Sequence, residues 1–172
     1  MSILRFLKLN AESRSSSSAE TETVGRITEA LDRLEPERAR FIAAFAFLLG
    51  RVARADLHIS PEETRAMERI VMEKGDVPEE QAVIVVQIAK TQNILFGATE
   101  NYLVSREFSA MATREQKLAL IDCLFAVAAA VESISTIEDN EVSQVADELR
   151  IEHKDFIAIR SAYRNYLAVL KN

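Results

Sequence analysis

Residues that break helices are scarce in this sequence. The 172 residues include only three prolines and four glycines, and the glycines, Gly25, Gly50, Gly75 and Gly97, stand far apart. Sheets and barrels need such residues at their turns, so their scarcity favours long helices joined by few connections. The isolated glycines also exclude a glycine-rich loop of the kind that cradles phosphates. A chain of this length is typical of a single domain that can bury its own core.

Apolar residues recur at helical spacing along most of the chain. The periodicity predicts helices over residues 24–34, 37–55, 60–75, 78–90, 100–111, 118–131, 135–149 and 154–170. Residues 83–86 are β-branched and alone would suit a strand, but no turn residue separates them from their helical surroundings. Residues 41–49 are apolar on nearly all sides, which predicts a central buried helix. The predicted fold class is all-α, a compact bundle of about seven to eight helices.

The ends of several predicted helices carry recognisable signals. Three Ser or Thr residues precede a Glu or Gln by three positions, which is the capping-box pattern of a helix start. These pairs are Ser60 with Glu63, Thr113 with Gln116, and Ser135 with Glu138. Gly75 is expected to form the C-terminal cap of the helix that Ser60 opens. The last helix, over residues 154–170, is expected to bury Phe156, Ile159, Tyr163, Tyr166, Leu167 and Leu170.

Two stretches of the chain repeat one pattern 75 residues apart. Ile59, Ser60 and Glu63 in the first copy match Ile134, Ser135 and Glu138 in the second. In each copy the pattern directly follows an apolar helix. The repeat therefore predicts two helix-loop-helix units, each consisting of a buried helix, an acidic corner and a capped amphipathic helix, that share one core.

Charge and cysteine content narrow the class of protein. The net charge of −6 disfavours nucleic acid as a partner, because such binding needs a basic face. Cys123 is the single cysteine and lies in an apolar stretch, which predicts a buried structural thiol and excludes an internal disulfide. The longest apolar run, residues 118–131, is shorter than the roughly 20 residues that a bilayer span needs. These features, with no recognisable secretory signal, predict a cytoplasmic protein.

The N-terminal region differs in composition from the rest. Residues 11–23 are polar and rich in serine, so residues 1–23 are predicted to be a flexible segment and residues 24–172 the helical domain. Residues 1–9 combine apolar and basic side chains. Two interpretations remain open for them: a frayed terminus, or an amphipathic segment that docks weakly on a membrane or a protein partner.

The first acidic corner resembles the signature of the TerB-like family, which includes tellurite resistance proteins and the N-terminal domain of a DnaJ-like membrane co-chaperone. That signature has an alanine, an aspartate, usually a glycine, a variable residue, an aliphatic residue, Ser or Thr, and acidic residues. Here these positions hold Ala55, Asp56, Leu57, His58, Ile59, Ser60, Glu62 and Glu63. A second copy corresponds to residues 130–138. The resemblance covers residues 31–170 in order and spacing.

The resemblance implies a compact all-helical domain that binds a divalent cation at its acidic corners. It also implies a role in tellurite or other stress responses, and no enzymatic reaction. The sequence departs from the family pattern at Leu57, where glycine is usual. In the second copy Val131 occupies the aspartate position, Glu132 the glycine position and Ile137 an acidic position. Glu132 can replace the missing aspartate only if the backbone of that corner shifts.

Six residues are the candidate metal ligands: Asp56, His58, Glu62, Glu63, Glu132 and Glu138. Converging oxygen ligands suit calcium, magnesium or manganese, and a histidine nitrogen suits zinc. Helix capping alone also accounts for Glu63 and Glu138, because acidic residues in a first helical turn accept from free N–H groups. Both interpretations remain open at this point.

Asp122 interrupts an apolar helix and needs a partner if it is buried. The expected partner is a basic residue such as Arg40 or Arg51; the alternative is a role in a polar pocket.

Signatures of known enzymes are missing. The chain has two histidines, and it contains neither a zinc-protease HExxH pattern nor a GxSxG nucleophile elbow. The prediction is a non-enzymatic interaction or stress-response module that binds a divalent cation. The alternative is a metal-free scaffold that binds protein partners, with a homo-oligomer among the possibilities.

Overall fold

The computed structural model describes residues 18–53, 60–91, 101–130 and 133–171. Within these ranges the chain forms eight α-helices and one final 3-10 turn. They are α1 Ser18–Asp32, α2 Pro36–Ala53, α3 Pro61–Gly75, α4 Glu79–Lys90, α5 Asn101–Met111, α6 Arg114–Ala129, α7 Thr136–Glu148, α8 His153–Ala162 and the 3-10 turn Ala168–Leu170. The described residues include no strand, and their isolated β-bridge joins Ile134 to Leu167. The predicted all-α class and the number of helices are confirmed.

Helix α2 forms the centre of the bundle, as its apolar sequence predicts. Every residue from Phe41 to Gly50 is buried, and α1, α4, α5, α6 and α7 all pack against this helix. Aromatic rings fill the space between α2 and α5: the centroid of Phe108 lies 5.2 Å from that of Phe41 and 6.3 Å from that of Phe45. The middle of α2, over residues 41–50, therefore has no face left for polar residues.

The two predicted helix-loop-helix units are α2 with α3 and α6 with α7. Helix α6 contacts both α2 and α3, and α7 contacts both α6 and α2, so the units share a single core. Helix α8 covers the outer side of α6, where the ring of Phe125 lies 5.8 Å from Phe156 and stacks on Tyr163 at 5.5 Å. The prediction of a common interior is therefore confirmed.

The start of the chain is helical earlier than its composition predicts. Helix α1 begins at Ser18, within the serine-rich segment that was expected to be flexible up to residue 23. Val24, Ile27 and Leu31 are buried, and α1 contacts α2 and α4. Residues 1–17, with the docking interpretation of residues 1–9, lie outside the described residues.

The end of α3 corrects the prediction that Gly75 is its C-terminal cap. Gly75 is the last helical residue, and the residue in the left-handed conformation is Asp76, with φ of 52°. Glycine is required at position 75 for space: a Cβ atom there would lie 2.8 Å from Cζ of Phe45. Aspartate tolerates the left-handed conformation better than most residues, so Asp76 can end the helix.

The last helix is shorter than predicted. Helix α8 ends at Ala162, and a turn leads to Leu167, which is buried beside Ile134. The Ile134 N–H donates to the Tyr166 carbonyl at 2.8 Å, and the Ala168 N–H donates to the Ile134 carbonyl at 2.9 Å. The expected burial was wrong for Tyr166 and Leu170, which are 43% and 58% exposed. Ending the helix lets this segment pair with Ile134, which lies just before α7 in the second unit.

No helix within the described ranges is long and apolar enough to cross a lipid bilayer. The buried position of the Cys123 thiol, predicted from its apolar surroundings, is confirmed.

Candidate functional site

The first acidic corner leads into α3 through a complete capping box. The Ser60 N–H donates to Oε2 of Glu63 at 2.7 Å, and the Glu63 N–H donates to Oγ of Ser60 at 3.1 Å. The hydrogen bond from the Ser60 N–H, followed by one from the Ser60 side chain, lowers the pKa of the Glu63 carboxyl. Glu62 and Glu63 are both exposed. The start of α3 therefore presents two neighbouring carboxylates to solvent, and the capping box fixes the position of one of them.

The second corner repeats the capping geometry, but the first turn of α7 offers fewer exposed carboxylates than the first turn of α3. Oε2 of Glu138 accepts from both the N–H and the hydroxyl of Ser135, at 2.8 and 2.6 Å, and Glu138 is half-buried. Ile137, which occupies the position of Glu62, is 56% exposed. The starts of α3 and α7 thus have the same helix cap and differ in the carboxylate oxygens that they expose to solvent.

The structure describes three of the six predicted ligands. Asp56, His58 and Glu132 lie outside the described residues. Among the residues whose placement is described, no group of three or more His, Cys, Asp or Glu side chains is arranged to hold a metal ion. Glu62 and Glu63 supply only two carboxylates, and a hard cation needs more oxygen ligands than that. A complete site at the first corner therefore also needs ligands from residues 54–59.

A buried charge network that the sequence analysis missed lies at the end of α2. The Arg51 side chain is 3% exposed and contacts α7 at two points, with Nε 2.9 Å from Oε1 of Glu141 and Nη1 2.8 Å from Oε2 of Glu148. Nη1 also donates to Ser105 of α5 at 3.1 Å. The seven-residue spacing of Glu141 and Glu148 was an available signal, because it places both carboxylates on one face of a helix.

The network changes the ionisation of its members. Burial alone would raise the pKa of Glu148, but hydrogen bonds from Arg51 and Ser105 outweigh it and lower the pKa. Burial likewise opposes the charge on Arg51, and the hydrogen bonds to the two glutamates outweigh it, so the pKa of Arg51 is raised. The pairs tie the helix before the first corner to the helix after the second.

Asp122 has a basic partner, but the expected identity was wrong. Its Oδ2 lies 3.6 Å from Nζ of Lys74 on α3, and its Oδ1 accepts from the Tyr163 hydroxyl. Arg40 pairs instead with Glu107 of α5 at 2.9 Å, and Arg51 pairs with α7. The difference arises because α6 packs against α3 at this point. Burial, together with the hydrogen bond to Asp122, raises the pKa of Tyr163.

Residues 41–161 of the chain match the model of a known protein family, which is described as tellurite resistance protein TerB. The chain belongs to the TerB family. The match runs from α2 into the last turn of α8, and so includes both acidic corners and the Arg51 network. No curated protein and no solved structure matches the chain.

Within the TerB region, the second corner is fixed to α8 by a bidentate ion pair. Nε and Nη2 of Arg160 lie 2.8 and 2.6 Å from the two carboxylate oxygens of Asp139, which is buried in the first turn of α7. A two-point contact of this kind constrains orientation as well as distance. Helix α1 and Leu167 lie outside the matched TerB region. Helix α1 precedes this region, and Leu167 follows it and pairs back with Ile134 inside it.

Proposed function

We propose that this TerB domain is a non-enzymatic interaction module that binds a divalent cation at its first acidic corner. The observation that carries the proposal is the placement of Glu63. The capping box fixes its carboxylate at the start of α3, lowers its pKa and leaves it exposed beside Glu62. Asp56 and His58 precede this point by only a few residues and complete the proposed ligand set.

The chemistry of these residues suits particular ions. Three carboxylates are the oxygen ligands that calcium, magnesium and manganese prefer, and His58 offers a nitrogen to zinc. The second corner is the weaker candidate, because Ile137 replaces one carboxylate and Glu138 already accepts two hydrogen bonds from Ser135. Glu132 and Glu138 are therefore assigned a secondary part in the proposal.

A bound cation would act on the angle between α2 and α3. Neutralising clustered carboxylates removes their mutual repulsion and links the residues before α3 to its first turn. Arg51 at the end of α2 is hydrogen-bonded to Ser105 of α5 and Glu148 of α7. A movement of α2 on cation binding would therefore also displace α5 and α7. In this way cation binding would alter the surface that a protein partner meets.

Isothermal titration calorimetry with calcium, magnesium, manganese and zinc tests the cation site. The variants are Asp56→Asn and Glu63→Gln, with Glu73→Gln as a control that removes an exposed charge at the far end of α3. Glutamine keeps the capping box, since Gln116 performs the same role at the start of α6. We expect wild type and the control to bind one of the ions and the two variants to bind it at least tenfold more weakly. Equal heats for all four proteins would reject the site.

A metal-free protein-binding scaffold is the second candidate, and exposed apolar side chains near the C-terminus favour it. Tyr166, Val169 and Leu170 are all more than two-fifths exposed. The partner would be another protein or a second copy of the chain. Sedimentation of wild type beside a Val169→Glu/Leu170→Glu double variant tests the second possibility: dimers of wild type alone support it, and monomers of both reject it.

The family description also supports a role in tellurite or related stress, which we place in the cytoplasm, where the buried free thiol of Cys123 is compatible with reducing conditions. Loss of the protein should then lower growth on tellurite, and rescue should require an intact Glu63. Equal growth with and without the protein would remove this role.

A further inference from the structure

We propose that a basic groove between α5, α6 and the turn after α7 binds a small phosphorylated ligand that carries at least two negative charges. The basic groove is defined by Arg106, Lys117 and Arg150, and its volume is about 620 Å³. Small-molecule sites commonly have volumes of about 300–1,000 Å³, so a nucleotide or a short polyphosphate fits the space. This site shares no residue with the acidic corners.

Charge is the first observation behind this proposal. Arg106, Lys117 and Arg150 come from three separate segments and line one concavity, although the whole chain has a net charge of −6. Among the residues described, none of the three forms an ion pair. Glu148 is the acidic residue of the lining, and Arg51 already neutralises it at 2.8 Å. Cations gathered in a concave surface concentrate positive potential there, which attracts an anion.

The backbone conformation at Arg150 fixes the position from which its side chain enters the groove lining. Arg150 follows α7 with φ of 57°, in the left-handed region, where glycine is the usual residue at a helix end. Its N–H donates to the Asp147 carbonyl, and the next N–H, of Ile151, donates to the Ala146 carbonyl, both at 3.0 Å. The left-handed conformation strains an arginine, and these two hydrogen bonds at the end of α7 hold the residue in it. The side chain lines the basic groove.

The other groups in the groove are positioned by hydrogen bonds. Nζ of Lys117 donates to the Ser109 hydroxyl at 3.0 Å, and that hydroxyl donates to the Leu149 carbonyl at 3.4 Å. Lys117 is therefore anchored to both α5 and the end of α7. Tyr102 lines the same groove and is 63% exposed, so its ring offers a surface on which the base of a nucleotide can stack.

The chemistry of the lining favours phosphate over other anions. Guanidinium groups bind phosphate oxygens through two parallel hydrogen bonds, and a lysine adds a compact charge. A nucleic acid needs an extended basic face, which an acidic protein with one short groove does not offer. An acidic peptide is the competing occupant, and it becomes an outcome of the test.

Calorimetric titration of the full-length chain with pyrophosphate and with ADP tests the proposal. The buffer contains EDTA and no divalent cation, so the result does not depend on the acidic corner. We expect both probes to bind, and ADP more tightly than pyrophosphate because of Tyr102. Arg106→Gln and Arg150→Gly should each weaken binding by about tenfold or more, the effect of losing one charged hydrogen-bonding group. The control Arg69→Gln, an exposed arginine on α3, should bind like wild type.

Thermal unfolding separates loss of binding from loss of fold. Glycine relieves the strain at position 150, so Arg150→Gly should melt no lower than wild type while it loses the ligand. Three outcomes overturn the proposal: neither probe binds wild type, Arg69→Gln weakens binding as much as the groove variants, or a poly-glutamate peptide binds more tightly than both phosphates.

Discussion

At the scale of single residues, the same side-chain types serve different ends in this protein. Glu63 completes a helix cap and remains exposed, whereas Glu148 is mostly buried and depends on Arg51. Both carboxyl groups have lowered pKa values, but hydrogen bonds to the backbone and hydroxyl of Ser60 cause the first, and a buried ion pair outweighs desolvation in the second. The pKa and the structural role of each carboxylate therefore depend on the groups that surround it.

Removing Arg51 should be among the most damaging single substitutions. Arg51→Leu leaves Glu148 and Glu141 without their buried partner, and breaking such pairs costs about 3–5 kcal/mol of the free energy of unfolding. Chemical denaturation measures the loss. Arg69→Leu, at an exposed position, should change the free energy of unfolding by less than about 0.5 kcal/mol. Similar small losses for both variants would contradict the role assigned to Arg51.

The pH dependence of stability should report the same pair. Because the pKa of Glu148 in the folded protein is lowered from 4.5, its stabilisation is present above pH 4.5 and is lost as the pH falls through the folded value. Arg51→Leu lacks this contribution. The stability difference between wild type and variant should therefore shrink on acidification below pH 4.5, as followed by denaturation at several pH values. A difference that is constant with pH is the contrary result.

At the scale of helices, the contacts depend on close approach and on where each helix ends. Helix α3 meets α2 at Gly75, where the Phe45 ring occupies the space that a side chain would need. Helix α8 stops at Ala162 so that Leu167 can enter the core. Each of these two features can be tested by comparing a substitution at the contact with the same substitution at an exposed position.

The two glycines at positions 75 and 25 should respond in opposite directions to alanine. Gly75→Ala places a Cβ atom 2.8 Å from a fully buried ring, so the ring or the helix must shift and we expect a loss of about 1–3 kcal/mol. Gly25→Ala, in α1, adds a methyl group in open space, and the better helix propensity should raise the free energy of unfolding by about 0.5–1 kcal/mol. Urea denaturation of both variants checks the signs.

The C-terminal turn predicts a contrast between two leucines three residues apart. Leu167 is buried beside Ile134, so Leu167→Ala should cost about 2–5 kcal/mol. Leu170 is exposed, and Leu170→Ala should change the free energy of unfolding by less than about 0.5 kcal/mol. If α8 instead continued to residue 170 with both side chains buried, the two losses would be similar.

At the scale of the whole molecule, one core joins both helix-loop-helix units. Helix α2 touches helices from both units, and α3 packs on α6. The chain should therefore unfold in a single cooperative transition. The helical circular dichroism and the near-ultraviolet signal of the tyrosines should give the same midpoint in urea. Separate midpoints would show that unfolding is not two-state and would contradict a single cooperative core.

Charge is distributed unevenly over this single core. The exposed carboxylates at the start of α3 and the basic groove beside α5 are built from different helices. Glu148 belongs to the network and also lines the basic groove. The basic groove is therefore connected through Glu148 to Arg51 at the end of α2.

The sequence by itself determined the presence of the helices, three of their N-terminal caps and the central place of α2. Those features depend on interactions within about four residues, such as the Ser60 and Ser135 capping boxes, or on the spacing of apolar side chains. Part of the candidate site followed in the same way, because Glu62, Glu63 and Glu138 lie in the first turns that their caps predict.

Only the tertiary structure decided which distant groups meet. Four features join segments that lie far apart in the chain. They are the ion pair of Asp122 with Lys74, the Arg51 network, the bridge between Ile134 and Leu167, and the three cations of the basic groove. The spacing of apolar residues shows on which face of its helix a residue lies. Which other helix packs against that face depends on the packing of the whole core.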